Sequence, residues 1–200
     1  MVTQGTSKQM TDKEMWRLAN GICSVLQIEE EILWAMESIK RYMGNPLKNF
    51  LEIGSHGGGS LCMWSQIMAD AGTLYGITLH DAPMQLQNTV SIITGKRVSI
   101  INAPSELDST KDRLVELLDG ERLDGIFVDS LHTAEQSKRE LDLYLPLLNS
   151  PGVFAYHDIK PVHGEGSTGH FFQPIKFDYS YEEKRTGKHS DMGIGLLLLL

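Results

Sequence analysis

The stretch from Phe50 to Ser60, FLEIGSHGGGS, constrains the fold of this chain most. An apolar run (Phe50, Leu51, Ile53) leads into a turn, residues 54–59, in which four of six positions are glycine. An acid, Glu52, stands two residues before the first glycine, and Leu61 to Met68 offers helix-compatible residues. The pattern predicts a buried strand, a tight turn and a helix start. Glycine lets a backbone approach a ligand without a Cβ in the way, and a helix start presents unpaired N–H groups. Such a junction is where open α/β sheets bind ligands, at the carboxyl ends of their strands.

The rest of the chain supplies the sheet. Residues 1–10 read as a disordered lead-in and 11–48 as N-terminal helices. A helix is expected over Thr11 to Val25. A second follows from Ile28, with Ile32, Ala35, Met36, Ile39 and Met43 on one face, and stops at Gly44-Asn45-Pro46. A strand over 49–53 precedes the glycine turn, and the helix after it is expected over 59–70. Further strands are predicted at Thr73–Leu79, Arg97–Asn102, Asp124–Asp129 and Val153–Tyr156. Helical segments fall within His80–Thr94, at Ser109–Leu118 and from Thr133, whose spacing to Gln136 fits a capping box, to about Leu148. Gly164 to Gly169 reads as a loop, His170–Lys176 as a short helix, and Phe177–Glu182 and Gly193–Leu200 as closing strands. Alternating strands and helices predict an α/β fold: a Rossmann-like three-layer sandwich, a single domain over 1–200, its seven-stranded sheet mostly parallel with an antiparallel C-terminal strand.

A net charge of −8 argues against a nucleic-acid surface. The polar start, Met1 to Lys8, has no apolar signal segment, and the terminal leucine run is far shorter than the roughly 20 residues needed to span a bilayer. A cytoplasmic protein without a membrane partner is the expectation, with self-association left open. Cys23 and Cys62 have no C-x-x-C partner and read as reduced, buried thiols. Trp16, Trp34 and Trp64 read as helix packing, and Glu29-Glu30-Glu31 as a solvated helix start.

Polar groups collect at the predicted strand ends: Glu52 with the glycine turn, Thr78 with His80 and Asp81, Ser105, Asp129 with His132, and His157-Asp158. In a parallel sheet those ends share one edge, so residues distant in sequence converge there.

On these residues the chain resembles the class I S-adenosylmethionine-dependent methyltransferases, and more narrowly the small-molecule O-methyltransferase branch related to cephalosporin hydroxylase. Three segments carry the resemblance: LEIGSHGGGS; the block Leu123 to Ile159, with its strand-Asp-x-x-His-helix and strand-His-Asp pattern; and the tail, HFFQPIK followed by GIGLLLL. Together they cover about residues 28 to 200.

The resemblance implies that Glu52, Gly54, Ser55, Gly58 and Ser60 line the methionine and ribose part of the cofactor, with Thr78, Ser105 and Asp129 completing the site. It departs from the family where a ribose-gripping acid is usual, since Gly76-Ile77-Thr78 ends in a hydroxyl that His80 or Asp81 would have to supplement. A second departure is Ala103-Pro104-Ser105, which keeps only the serine of a Gly-Asp-Ser. Asp129 and Asp158 are the implied ligands of a divalent metal, and oxygen donors of this kind suit Mg²⁺. His157 stands where the family often has another acid. Asp129, His132, His157 and Asp158 form the expected catalytic set, with His132 and His157 as candidate bases. His56, His163, His170 and His189 are expected to be surface or lid residues.

The leading expectation is methyl transfer to a hydroxyl of a small molecule, a sugar or natural product. A catalytically inactive methyltransferase-like binding or scaffold domain is the alternative. A nicotinamide-dependent dehydrogenase fits less well, because G-x-G-x-x-G from Gly57 would need glycine where Cys62 stands. A serine hydrolase lacks its G-x-S-x-G turn.

Overall fold

The computed structural model describes residues 10–161, 166–186 and 192–200. Most of the expected lead-in, part of the Gly164–Gly169 loop, and the expected surface or lid residues His163 and His189 lie outside the described residues.

The chain runs α1 (Asp12–Ile22), α2 (Glu29–Met43), β1 (Leu47–Ile53), α3 (Gly59–Trp64), β2 (Met68–Thr78), α4 (Pro83–Thr94), β3 (Arg97–Asn102), α5 (Asp108–Leu118), β4 (Leu123–Val128), α6 (Ala134–Tyr144), β5 (Leu148–His157), α7 (Thr168–Ile175), β6 (Ser180–Lys184) and β7 (Ile194–Leu199). Local signals explain most boundaries. Thr11 accepts the Glu14 amide while Glu14 accepts the Thr11 amide at 2.8 Å, a complete capping box that starts α1. Helix α2 buries Ile32, Ala35, Met36 and Ile39 on one face and stops at Gly44, whose φ is 68°.

Several expected elements differ: the helix expected to run to about Leu148 ends at Tyr144, and the strand expected over Val153–Tyr156 already starts at Leu148. The helix after the glycine turn spans Gly59–Trp64 rather than 59–70. A 3₁₀ turn follows it, and the chain from Met68 onward is taken into the sheet, where Met68 pairs with Leu47 of β1. Ser65 helps end the helix by donating to the Cys62 carbonyl at 2.6 Å. At α6, Thr133 accepts the Gln136 amide, but the Gln136 side chain turns to Ser105, Glu106 and Glu140, so only half of the capping box forms. Residues Lys176–Asp178 are a 3₁₀ turn, so β6 starts at Ser180 rather than Phe177.

The seven strands lie in the order β3-β2-β1-β4-β5-β7-β6. All neighbours are parallel except β7, which runs antiparallel to both β5 and β6. This is the expected Rossmann-like sheet with a reversed C-terminal strand. One core packs α1–α4 against one face around Phe50, Trp64 and Phe127. The other packs α5–α7 against the opposite face around Leu51, Tyr156 and Phe172. Because alternate strand residues point to opposite faces, Glu52 shares the α1–α4 face with Phe50. From β1 the chain first builds outward through β2 and β3, then returns to the far side through β4 and β5. The strand order therefore reverses between β1 and β4, and a crevice opens at their carboxyl ends.

Candidate active site

Gly54 makes the crevice possible. Its φ is 95°, and a Cβ built there would lie 1.8 Å from the Asp129 carbonyl oxygen. With hydrogen alone at that position, the Asp129 amide reaches the Ile53 carbonyl at 2.8 Å and the Gly54 amide reaches Ile77 at the same distance. Beside this junction lies a cavity of about 500 Å³. Ile53, Ile77, Leu79, Ala103 and Pro104 provide apolar wall, while Gly54, Thr78, Ser105, Glu106, Asp129, His132 and Gln136 provide polar edges. Leu26, Leu79 and Leu131 border it and are more than half exposed.

Of the residues expected to touch a cofactor, Gly54, Thr78, Ser105 and Asp129 line this cavity. Glu52, Ser55, Gly58 and Ser60 lie behind its wall. Glu52 points under α3, where the Ser60 hydroxyl donates to its carboxyl, and it has no solvent exposure. Ser55 donates to the Glu52 carbonyl. The space a Gly58 side chain would take is filled by Leu86 and Val90 of α4, 2.6–2.7 Å from the built position. Gly57 and Gly59 admit the α1–α2 connector instead of a ligand, with the carbonyls of Cys23 and Ser24 at 2.5 and 2.3 Å from where a Cβ would sit. The signal read as room for a ligand is thus, at all four glycines, room for the protein's own chain.

Neither His80 nor Asp81 lines the cavity. His80 accepts the Ala82 amide at 3.0 Å, just before α4. Besides Asp129, the acid that lines it is Glu106, after β3, which carries no motif.

The four expected catalytic residues come together. His132 Nε2 is 3.0 Å from Asp129 and its Nδ1 is 3.1 Å from Asp158. His157 Nδ1 lies 3.3 Å from both carboxylates, a charge pairing without a well-aligned hydrogen bond. Both His132 and Asp158 have positive φ, 58° and 56°, a conformation costing of order 1–3 kcal/mol that clusters at functional sites. Burial alone would push the Asp129 carboxyl up, but the charge of His157 and the hydrogen bond from His132 outweigh it and hold the acid well below the usual carboxylate range. Burial would lower His157, yet Asp129 and Asp158 raise it to about 10. His132, half exposed, is raised by its hydrogen bond to Asp129.

Two supporting residues carried no motif. Gln27, in the α1–α2 connector, donates to Asp129 Oδ2 at 2.6 Å. Glu140 of α6 is fully buried and accepts from Ser105 at 2.6 Å, Ser130 at 2.9 Å and Gln136 at 3.0 Å, fixing the polar edge of the cavity. Its i,i+4 spacing from Gln136 on a helix is the one local hint of that role.

Asp129, His132 and Asp158 each offer one ligand atom, all within 4.8 Å of one another, the only such grouping of three or more among the described residues. The donor set fits a divalent ion.

A reversal of strand order, a glycine crossing and partly buried carboxylates at the strand ends define a Rossmann-like enzyme with its site beyond β1 and β4. Comparison with known proteins narrows this. A family model, the methyltransferase domain, matches residues 51–159, more than half of the 200 residues, and the chain belongs to that family. With the fold, this makes it a methyltransferase domain of the class I, Rossmann-like architecture. Curated protein sequences yield no match. Among solved structures it is similar to an O-methyltransferase from Bacillus cereus in complex with SAH, at 13% identity and TM-score 0.65, over 98% of this chain and 93% of that one. It is also similar to MycE methyltransferase from the mycinamycin biosynthetic pathway, solved with Mg, SAH and mycinamycin VI, at 15% identity and TM-score 0.59, over 83% of this chain; the match spans only 48% of that enzyme. A methyltransferase homolog from Pyrococcus horikoshii aligns at 14% identity and TM-score 0.57, over 83% of this chain and 66% of that one. At these identities the likeness concerns the fold. No helix among the described residues is long and apolar enough to cross a membrane.

Proposed function

We propose that this protein transfers a methyl group from S-adenosylmethionine to a hydroxyl of a small molecule such as a sugar or natural product. The observation that carries the reading is the convergence of Asp129, His132, His157 and Asp158 beside a cavity whose wall opens at Gly54. The cavity fits the cofactor. Its apolar residues suit a purine, and Thr78, Ser105, Glu106 and Gln136 offer hydrogen-bonding groups to a nucleoside. Thr78 accepts where an acid is usual, and Glu106 supplies a carboxylate from the neighbouring strand end. When bound, the sulfonium supplies an electrophilic methyl group.

The chain's own residues handle the proton. A hydroxyl becomes nucleophilic as it loses its proton, and His132 is the half-exposed base facing the cavity. Both of its ring nitrogens face carboxylates, so to take the proton one of them must turn from its carboxylate to the substrate, and the imidazolium then formed is stabilised by Asp129 and Asp158. His157 is buried and offsets the charge of the two acids, which keeps them paired in a dry setting. Asp129, Asp158 and His132 would hold a divalent ion, whose Lewis acidity would then take the place of His132 as base by lowering the pKa of the hydroxyl and orienting it. A scaffold domain would have no use for buried charges aimed at an open cavity, given what their desolvation costs.

The test is calorimetry with S-adenosylhomocysteine, followed by tritium transfer from methyl-labelled S-adenosylmethionine to catechol and methyl glucoside, with and without divalent ions. Binding with transfer to either probe supports the reading. Absence of binding at millimolar S-adenosylhomocysteine contradicts it.

A further inference from the structure

His56, one of the expected surface or lid residues, stands in the glycine turn, is exposed to solvent and lines the cavity. Its φ is 38°, in the left-handed region that histidine, asparagine and aspartate enter more readily than other side chains. Glycine would hold that backbone without strain, as it does at Gly54 and Gly58, yet here the turn carries an imidazole. No hydrogen bond or ion pair ties the ring to another described residue.

A carboxylate entering this cavity meets few free donors. Among the described residues no lysine or arginine lines it. His132, the other histidine of the wall, already lies between Asp129 and Asp158. Ser105 and Ser130 donate to Glu140, and the Gln136 amide is directed at Ser105, Glu106 and Glu140. In the turn, the Ser55 and Ser60 hydroxyls donate to Glu52. The amides of Gly54, Ser55 and Gly58 donate to the carbonyls of Ile77 and Ser55. Glu106 and Asp129 add two acids to the wall. Among the described residues, His56 is therefore the lining group that can set a positive charge against a carboxylate without first leaving an acid of the protein.

The strand order indicates which part of a ligand arrives there. Thr78 ends β2 and Glu106 follows β3, on the side that offers groups to a nucleoside, whereas His56 follows β1. Neighbouring strands lie about 4.8 Å apart, which separates β3 from β1 by roughly 10 Å. A cofactor with its nucleoside over β2 and β3 extends its amino-acid end towards the turn. We infer that His56 is a binding residue that pairs with the amino-acid carboxylate of the cofactor. The inference rests on the methyl-transfer reading.

Calorimetry with two probes tests it. S-adenosylhomocysteine carries the carboxylate; methylthioadenosine has the same nucleoside and thioether without it. His56→Gly removes the ring and accepts the backbone conformation. S-adenosylhomocysteine should bind this variant roughly tenfold or more weakly, while methylthioadenosine stays within about twofold of wild type. In the wild-type protein, the ring ¹H–¹⁵N correlations of His56 should move with S-adenosylhomocysteine and stay in place with methylthioadenosine, a readout that needs no variant. Unchanged S-adenosylhomocysteine affinity in His56→Gly, equal losses for both probes, or ring signals that respond to both alike overturn the inference and leave the methyltransferase reading in place. A wild-type protein silent toward S-adenosylhomocysteine overturns both.

Discussion

Replacing Glu52 by glutamine tests the electrostatics beneath the glycine turn. Glu52 pairs in register with Gly76 on one side and Phe127 on the other, faces α3, and has no exposure to solvent. One carboxyl oxygen accepts from Ser60, while the other has no partner among the described residues. Burial is the main reason its pKa rises from 4.5 to about 8; Ser60 opposes the rise and the charge of Asp129 adds to it. In the unfolded chain the proton leaves near the ordinary value, whereas the native protein keeps it to about 8. The unfolded state therefore binds fewer protons across that window, and stability falls as pH rises through it. At ~1.4 kcal/mol per pH unit the full penalty is roughly 5 kcal/mol. Glu52→Gln is the neutral isostere and escapes this loss. Its stability in urea, followed by the fluorescence of buried Trp64, should match wild type at about pH 5 and exceed it by roughly 2–4 kcal/mol at about pH 8.5, with the slope in urea unchanged. Curves that run parallel across the window, or a variant weaker at the higher pH, would refute the reasoning.

Gly58→Val should lower stability by roughly 2–5 kcal/mol in thermal or urea unfolding, because the new side chain meets Leu86 and Val90 at a backbone φ of 81°. A soluble variant of wild-type stability would remove that packing argument. Glu140→Leu leaves Ser105, Ser130 and Gln136 without their shared acceptor, and chemical denaturation should show a loss of roughly 2–4 kcal/mol. Asp129→Asn should keep its secondary structure by circular dichroism but melt at a lower temperature, since His157 loses a charge partner. Methyl transfer in that variant should fall roughly 10²–10⁴-fold, and near-normal turnover would deny Asp129 its role.

The alternation of strands and helices, the reversed final strand and the bend after Ile53 were legible in the primary structure, because hydrophobic period and turn chemistry are local properties of a chain. So was the set Asp129, His132, His157 and Asp158: parallel strands bring their carboxyl ends to one edge whatever the details of packing. The length of α3 was not legible, since residues 65–70 are compatible with a helix and only pairing with β1 draws Met68 into the sheet. Nor was the use of the glycines. A missing Cβ advertises a close approach without naming what approaches, and here a helix, a connector and the Asp129 backbone occupy all four positions. Gln27 and Glu140 carry no motif and lie 102 and 35 residues from Asp129 and Ser105, their partners in the site. Their roles exist only once the chain is folded, because a hydrogen bond between distant residues depends on the positions of both and is encoded in neither alone.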